Sequence, residues 1–391
     1  MMSSTRKALP VLFLVMFLVM LGFGIVIPVL PLYARELGAS SLTLGWLMAT
    51  YSFMNLLFSP IWGNISDRMG RKPVMLIGLF GFGIAYVAFG LATELWQLFV
   101  SRILAGALSA AAMPTAMAYV ADITTEETRG KGMGMIGAAA GLGFIFGPAI
   151  GGSLSKWGYD KPFLFAGMLA ALTFIVASIV LKESLPKEKR QSPGKKTSRW
   201  SAFRGSLAYL YIMSFVVSFS LAGLESTFAF YAVDKLHMTS VQLGYVFVVM
   251  GVVGAFIQGG LIGKLIKRFG EDRVIQIGLL VSAIGFLLIV RVTDMVTGAI
   301  FLAVFGAGNG MIRPSVSALI SKRTTFGQGN ALGLLGSLDS LGRIAGPPVG
   351  GLLYAKGMTL PYYSGAIMSI VALLLLFYFQ KLVQTSEDSS V

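Results

Sequence analysis

Long apolar runs alternate with short polar interruptions along the whole chain. The runs are roughly twenty residues each, long enough to cross a ~30 Å hydrocarbon core as a helix. They lie near 9–33, 44–66, 73–92, 96–120, 131–155 and 161–182, then near 205–233, 240–266, 272–292, 295–321, 328–355 and 360–382. In lipid the backbone must satisfy its own hydrogen bonds, which leaves helices or a closed barrel. A barrel would show segments of about ten residues with alternating polarity, and these runs are unbroken. The pattern predicts an all-α polytopic membrane protein with twelve transmembrane helices. The first run exceeds the apolar stretch of a secretory signal and no small-x-small cleavage site follows, so it is expected to remain as a helix.

Composition and charge sharpen this picture. Of the 391 residues 55% are hydrophobic and 12% charged, about half the charge of a soluble domain. The net charge of +14 is unevenly placed. Arg6, Lys7, Arg68, Arg71, Lys72, Arg129, Lys131, the stretch from Lys182 to Arg204, and Lys264, Lys267, Arg268, Arg273, Lys322, Arg323 and Lys381 fall on one side. The other side holds Arg35, Lys156, Lys161, Lys235, Arg291 and Lys356. Basic loops stay cytoplasmic, so a multi-pass protein with both termini and the linker in the cytoplasm is expected. The excess charge then sets topology and meets membrane lipids, and no nucleic-acid partner is expected. Without cysteine there is no disulfide or thiol chemistry, and the single histidine, His237, makes no histidine metal site. No G-x-x-x-x-G-K-[ST] stretch points to ATP. No nucleophile–base or metal constellation points to an enzyme, and no cofactor is expected.

The two sets of six runs match each other in order. "GNISDRMG" (63–70) aligns with "GKLIKRFG" (263–270), and "MPTAMA" (113–118) with "RPSVSA" (313–318), both at an offset of 200. "GLGFIFGPAIGG" (141–152) aligns with "SLGRIAGPPVGG" (340–351) at 199, and Tyr33 with Tyr231 at 198. The chain reads as a duplication: a six-helix bundle over 1–182, a polar linker over 183–204, and a second six-helix bundle with a short tail over 205–391. Parallel six-helix halves with substrate held near the midplane are the plan of one large group of secondary transporters. Gly143, Gly147 and Gly151 share a helix face, as do Gly342, Gly346 and Gly350. Small residues on one face let backbones approach closely, and a proline such as Pro148 kinks its helix. These faces suggest a pivot between the halves; plain tight packing is the alternative.

"GNISDRMGRK" (63–72) fits the G-x-x-x-D-R-x-G-R-[RK] signature, and the chain resembles the major facilitator superfamily. The resemblance implies that Gly63, Asp67, Arg68, Gly70 and Arg71, with Asp122, form a conformational gate; the second copy has Lys267 in place of Asp67, so only the first half keeps the complete motif. The spacing Gly134, Gly143, Gly147, Pro148, Gly151, Gly152 matches the helix-5 pattern of the superfamily's antiporters, chiefly drug exporters. "LGFGIVIPVLP" (21–31) and "LFVSRILAGALSAA" (98–111), with Arg102, resemble further motifs of those exporters. The resemblance spans almost the whole chain and is nearest to the bacterial NorA/Bmr-type multidrug–proton antiporters. It implies a monomer in the bacterial cell membrane.

Ionisable residues inside spans are costly and functional by default. Five stand out: Arg102, Glu225, Arg313, Asp339 and Arg343. Glu225 is the one acid of its span. Low-dielectric surroundings favour a protonated carboxyl, so such a site can hold a proton or a competing cation in turn. The resemblance assigns a glutamate here to proton coupling and drug binding; a structural pair with Arg313 is the alternative. Arg313, before Pro314, either responds to an acid's protonation or holds a kinked backbone. Some relatives carry an aspartate three residues before this arginine, where this chain has Gly310 beside Asn309. Asp339 and Arg343 share a helix face. They pair with each other, or Asp339 substitutes for the missing acid. Arg102 is expected to favour proton departure from a neighbouring acid. Tyr51, Phe53, Met113, Met117, Phe219, Phe228, Tyr231 and Asn309 are candidate substrate contacts, since aromatic faces attract cations and methionine adapts to shape. The expected function is proton-coupled export of lipophilic, often cationic, drugs by alternating access. A narrow-substrate exporter of the same fold, or a symporter, is the alternative.

Overall fold

The apolar runs fold as helical segments in the computed structural model, which describes residues 2–186, 188, 190, 203, 205–324 and 327–388. The first half contributes α1 (Met2–Glu36), α2 (Ser41–Met69), α3 (Arg71–Gly90), α4 (Leu95–Ser109), α5 (Ala112–Ile123), α6 (Glu126–Leu154) and α7 (Lys161–Val180). The second contributes α8 (Leu207–Leu236), α9 (Ser240–Phe256), α10 (Ile262–Phe269), α11 (Glu271–Ile289), α12 (Met295–Arg323), α13 (Gln328–Lys356) and α14 (Leu360–Asp388). A π-helical turn, Ile257–Leu261, joins α9 to α10 within one span. Most of the expected linker (187, 189, 191–202 and 204) lies outside the described residues.

Ten spans among the described residues are long and apolar enough to cross a membrane. The two remaining long helices are α2 and α13, which form where spans were expected but carry more polar side chains, including Asn55, Asn64, Asn330 and Asp339.

The span expected over 96–120 is not one helix. It parts at Ala110–Ala111 into α4 and α5. Pro114 has no N–H to donate to the Ala110 carbonyl, and its ring crowds that oxygen. Pro314, its counterpart, leaves α12 continuous.

The chain packs as two compact units. Unit 1 comprises Met1–Ala39, Thr50–Lys196 and Thr239–Tyr245; unit 2 comprises Ser40–Ala49, Thr197–Met238 and Val246–Val391. Within unit 1, the glycine face of α6 lies on α1: a Cβ on Gly147 would sit 2.6 Å from the Leu21 carbonyl, and one on Gly151 3.1 Å from Ile25 Cα. Within unit 2, α13 lies on α8 in the same way, with Gly342 against the Phe215 carbonyl at 2.6 Å and Gly350 against Gly223 Cα at 3.1 Å. The faces read as a pivot are therefore occupied inside each bundle, where they bring two backbones into contact. The glycine after each face has a different neighbour. Gly152 abuts the Ser240 carbonyl at the start of α9, and Gly351 that of Ser41 at the start of α2. Ser155 donates to Ser240 Oγ at 2.6 Å, and Ser41 Oγ to Gly351 O at 2.9 Å.

Candidate functional site

Helix α8 carries the acid around which the charges of unit 2 gather. Glu225 is flanked by buried Leu224, Ser226 and Thr227, and its side chain is 2% exposed. Arg343 on α13 donates from Nη1 to Glu225 Oε2 at 3.2 Å, whereas Oε1 is buried with no hydrogen-bond partner. The neighbouring hydroxyls are committed elsewhere. Ser226 and Thr227 donate to Gly223 O, and Ser220 to Val216 O. Half of the carboxylate is thus paired, and the other half is buried with its hydrogen-bonding capacity unmet.

One turn before Arg343, Asp339 faces the same helix. Ser214 and Ser218 donate to its Oδ1 at 2.5 and 3.0 Å. Its Oδ2 lies 3.3 Å from Arg313 Nε on α12, an ionic contact without hydrogen-bond geometry. Neither pairing expected from sequence forms. Asp339 and Arg343 do not neutralise each other along α13, and Glu225 does not pair with Arg313. The two serines, spaced one turn apart on α8, hold Asp339 where Arg313 reaches it, and the long Arg343 side chain extends to Glu225.

Unit 1 holds one charge of this kind. Arg102 on α4 is 2% exposed, and its guanidinium lies 5.4 Å from the ring centroids of both Tyr51 and Phe89. Its Nε has no hydrogen-bond partner, and no carboxylate among the described residues pairs with it. Two cation–π contacts at roughly 0.5–2 kcal/mol each are of the same order as the ~2.5–3.5 kcal/mol insertion cost of a mid-span arginine. The rings therefore offset the charge while leaving hydrogen-bond donors unused. Tyr51 is within 3.3 Å of Ser109 Oγ.

The proposed contact residues divide. Phe53, Met113 and Met117 are exposed on unit 1, and Phe219 is half-buried beside Phe215. Asn309 lines a cavity of about 10 Å³ with Ser220, Ser282 and Ser369, room for about one water. Phe228 and Tyr231 are fully buried. Phe228 meets Phe247 edge-on, and Tyr231 donates to Val290 O at 3.0 Å. These two are core of unit 2 and not cavity wall, because α8 is enclosed by α13 and α14.

At the α2–α3 corner the signature residues form a cluster. Gly70 has φ 109°, a conformation that favours glycine. Arg71 donates to Asp67 at 2.6 Å, to Asp122 at 3.1 Å and to Ser66 at 3.1 Å. Arg68 is exposed, and Gly63 and Gly134 have open space where a Cβ would stand. Ser184, just beyond α7, donates to Asp122 at 2.9 Å.

The sequence pattern of the Major Facilitator Superfamily matches residues 12–270 and again 258–390. The chain belongs to this superfamily. It is a multi-pass membrane transporter and not an enzyme. It is 34% identical over 373 residues to Multidrug resistance protein 2 of Bacillus subtilis, covering 91% of each chain. It is 30% identical over 377 residues to the quinolone resistance protein NorA of Staphylococcus aureus, covering 95% of this chain and 96% of NorA. Its structure is similar to that of the human organic anion transporter MFSD10, with a TM-score of 0.71, 26% identity, and coverage of 95% of this chain and 99% of that one.

Two partners within this superfamily fold escaped the sequence reading. Glu183 accepts from the Arg71 and Lys72 amides at 2.8 and 3.3 Å. Helix α3 opens on two basic residues with no acid in its first turn, an unfavourable end for the helix dipole, so a carboxylate is brought from the chain beyond α7. The available signal was an acid next to a run of lysines. The second is the pair of Glu271 with Lys322, which stand 200 residues after Arg71 and Asp122. The second half keeps the ion pair with its charges exchanged.

Proposed function

We propose that this transporter exports lipophilic, often cationic, drugs across the bacterial cytoplasmic membrane in exchange for protons. The names of its relatives, multidrug resistance and quinolone resistance, support the substrate class, and the superfamily supports the proton gradient as the energy source. The observation that carries the reading is Glu225: a buried mid-span carboxylate with one oxygen on Arg343 and the other unpartnered. Such a group serves one proton or one cationic substrate at a time, the minimum an antiporter needs. Asp339 is a second carboxyl in reach of the same helix, and Arg102, Arg313 and Arg343 set the local field. The halves 1–182 and 205–391, joined by the linker 183–204, rock in alternation, with both termini in the cytoplasm and the protein acting as a monomer among membrane lipids.

The test is purified protein in liposomes under an imposed pH gradient, with ethidium movement and internal pH followed together. Wild type is expected to exchange dye for protons, and Glu225→Gln to lose that coupling. Coupled exchange that survives the substitution would move the proton site away from Glu225. Wild type that moves neither dye nor protons, across a panel of lipophilic cations, would overturn multidrug export in favour of a narrow-substrate carrier.

A further inference from the structure

The two halves differ at the ends of α3 and α11. Neither helix has a basic residue in its last turn, and the carbonyl end of a helix favours a cation. In unit 2 a lysine from α8 supplies one. Lys235 Nζ donates to the Val290 carbonyl at 3.0 Å and to the Tyr231 hydroxyl at 2.6 Å, and Tyr231 donates to the same carbonyl. Tyr354 donates to the adjoining Asp234 at 2.8 Å. Unit 1 keeps the tyrosine and the acid of this arrangement and lacks the other two side chains. Tyr33 and Glu36 match Tyr231 and Asp234, whereas Leu37 stands for Lys235 and Ser155 for Tyr354. Gly90, which ends α3, stands for Val290. Tyr33 donates to Phe89 O at 3.2 Å and Ala92 O at 2.5 Å, which flank Gly90 in sequence. Ser155 is turned away, to Gly152 O and Ser240 Oγ.

The difference leaves a polar recess of about 680 Å³, whose lining includes Tyr33, Glu36, Gly90, Tyr159 and Asp160. That is the size of a small-molecule site, ~300–1,000 Å³. Asp160 is paired with Lys161 at 2.7 Å. Glu36 has no hydrogen-bond or ion-pair partner among the described residues, and Lys156, which also lines the recess, does not reach it. Burial and then the Glu36 carboxylate push the Tyr159 phenol above its ordinary range, which sets that carboxylate near the ring.

We infer that this recess binds a primary alkylammonium group, which takes in unit 1 the place that the Lys235 ammonium holds in unit 2. Its three N–H donors meet the Glu36 carboxylate and the carbonyls at the end of α3. The occupant ties α1 to α3 as Lys235 ties α8 to α11. A free amine and the ethanolamine headgroup of a lipid both carry the group. The site lies wholly within unit 1, apart from Glu225 in unit 2, and does not rest on the export reading.

The experiment follows thermal unfolding of the purified, delipidated full-length transporter in detergent by tryptophan fluorescence. Propylammonium and tetramethylammonium chloride are compared at equal ionic strength. A ligand that binds only the folded state stabilises it, so propylammonium should raise the unfolding temperature saturably. Tetramethylammonium has no N–H donor and should not. Glu225→Gln should keep the shift, which separates the recess from the acid on α8. Glu36→Gln should weaken propylammonium binding roughly tenfold. Leu37→Lys supplies its own ammonium, as Lys235 does, and should abolish the response to the amine without lowering the unfolding temperature. The site is overturned by the absence of a propylammonium shift in wild type, by an equal shift with tetramethylammonium, or by a shift lost in Glu225→Gln. A shift unchanged in both Glu36→Gln and Leu37→Lys overturns it as well. Phosphatidylethanolamine that blocks the shift where phosphatidylcholine does not assigns the ammonium to a lipid headgroup. A shift that neither lipid alters assigns it to a free amine, and either result keeps the site; a block by both lipids overturns it.

Discussion

Arg71 and Asp122 in the first half stand where Glu271 and Lys322 stand in the second, and both pairs form. Coulomb attraction is indifferent to which partner carries which sign, so the second pair, 200 residues on, keeps the attraction with its polarity exchanged. The helix ends are not indifferent. Helix α11 begins with Glu271 and Asp272, which suit its N-terminal dipole. Helix α3 begins with Arg71 and Lys72 and takes its carboxylate from Glu183, 112 residues away from Arg71. One exchange of charge thus ties the first half to the chain beyond α7, where the second half needs no such tie. Deeper in the membrane the contrast widens. Unit 1 holds Arg102 among aromatic rings, whereas unit 2 holds two acids and two arginines joined across three helices. The backbone plan is shared, and the chemistry is concentrated in one copy.

The largest expected effect lies in the charged network of unit 2. Arg343→Gln leaves Glu225 buried and unpaired, which should cost about 3–5 kcal/mol. The double variant with Glu225→Gln should recover most of that stability but no coupled transport. Thermal unfolding in detergent, set beside proteoliposome exchange, reads both; a double variant as unstable as the single one would show that the pair is not what holds α8 to α13.

Bulk on the glycine faces tests whether the halves are equivalent in packing. Gly147→Leu and Gly346→Leu each drive a side chain into a backbone carbonyl, of Leu21 and Phe219 respectively. Overpacking costs typically 1–3 kcal/mol, and the two losses should match. Gly134→Ala, with nothing within 4 Å of the new methyl, should raise helix stability by up to about 1 kcal/mol. If transport nonetheless falls in that variant, the motif serves motion at Gly134 and packing at the others.

Exchanging polarity at the first corner tests the comparison directly. Arg71→Glu alone should lose transport, since it adds an acid to Asp67, Asp122 and Glu183. Adding Asp122→Lys recreates the arrangement of the second half and should restore part of it, with a coupling energy of roughly 0.5–3 kcal/mol. Full loss in the double variant would show that the first half needs the original sign.

The smallest effect is at Asp294, the N-cap of α12, whose carboxyl is held below its ordinary range, first by the Thr297 amide and then by the Thr293 hydroxyl and the Val296 amide. A depressed carboxyl stabilises the fold above its unfolded-state pKa, near 4, and that contribution is lost as pH falls through the folded-state value. Asp294→Asn should lower the unfolding temperature slightly at pH 7, and by progressively less as the pH falls below about 4.

The helical, membrane-spanning class and the superfamily were both legible in the order of residues. Each rests on signals that repeat: apolar run length, basic loops, glycine spacing at i, i+4, i+8. The charged candidates inside the spans were visible too, because an ionisable side chain in an apolar run is conspicuous by its cost. Which of them pair was not. Asp339 and Arg343 lie one turn apart and invite each other on paper, yet Ser214 and Ser218 draw the first aside and Glu225 the second. That choice depends on the rotation of α8 against α13, set by glycines pressed onto the Phe215 and Phe219 carbonyls. The same rotation buries Phe228 and Tyr231, which sequence had turned toward substrate. Glu183 reaches α3 only because the end of α7 is folded against it. Run length and spacing are local properties that a sequence carries by itself; the partner of a side chain is settled by how helices distant in sequence turn against one another.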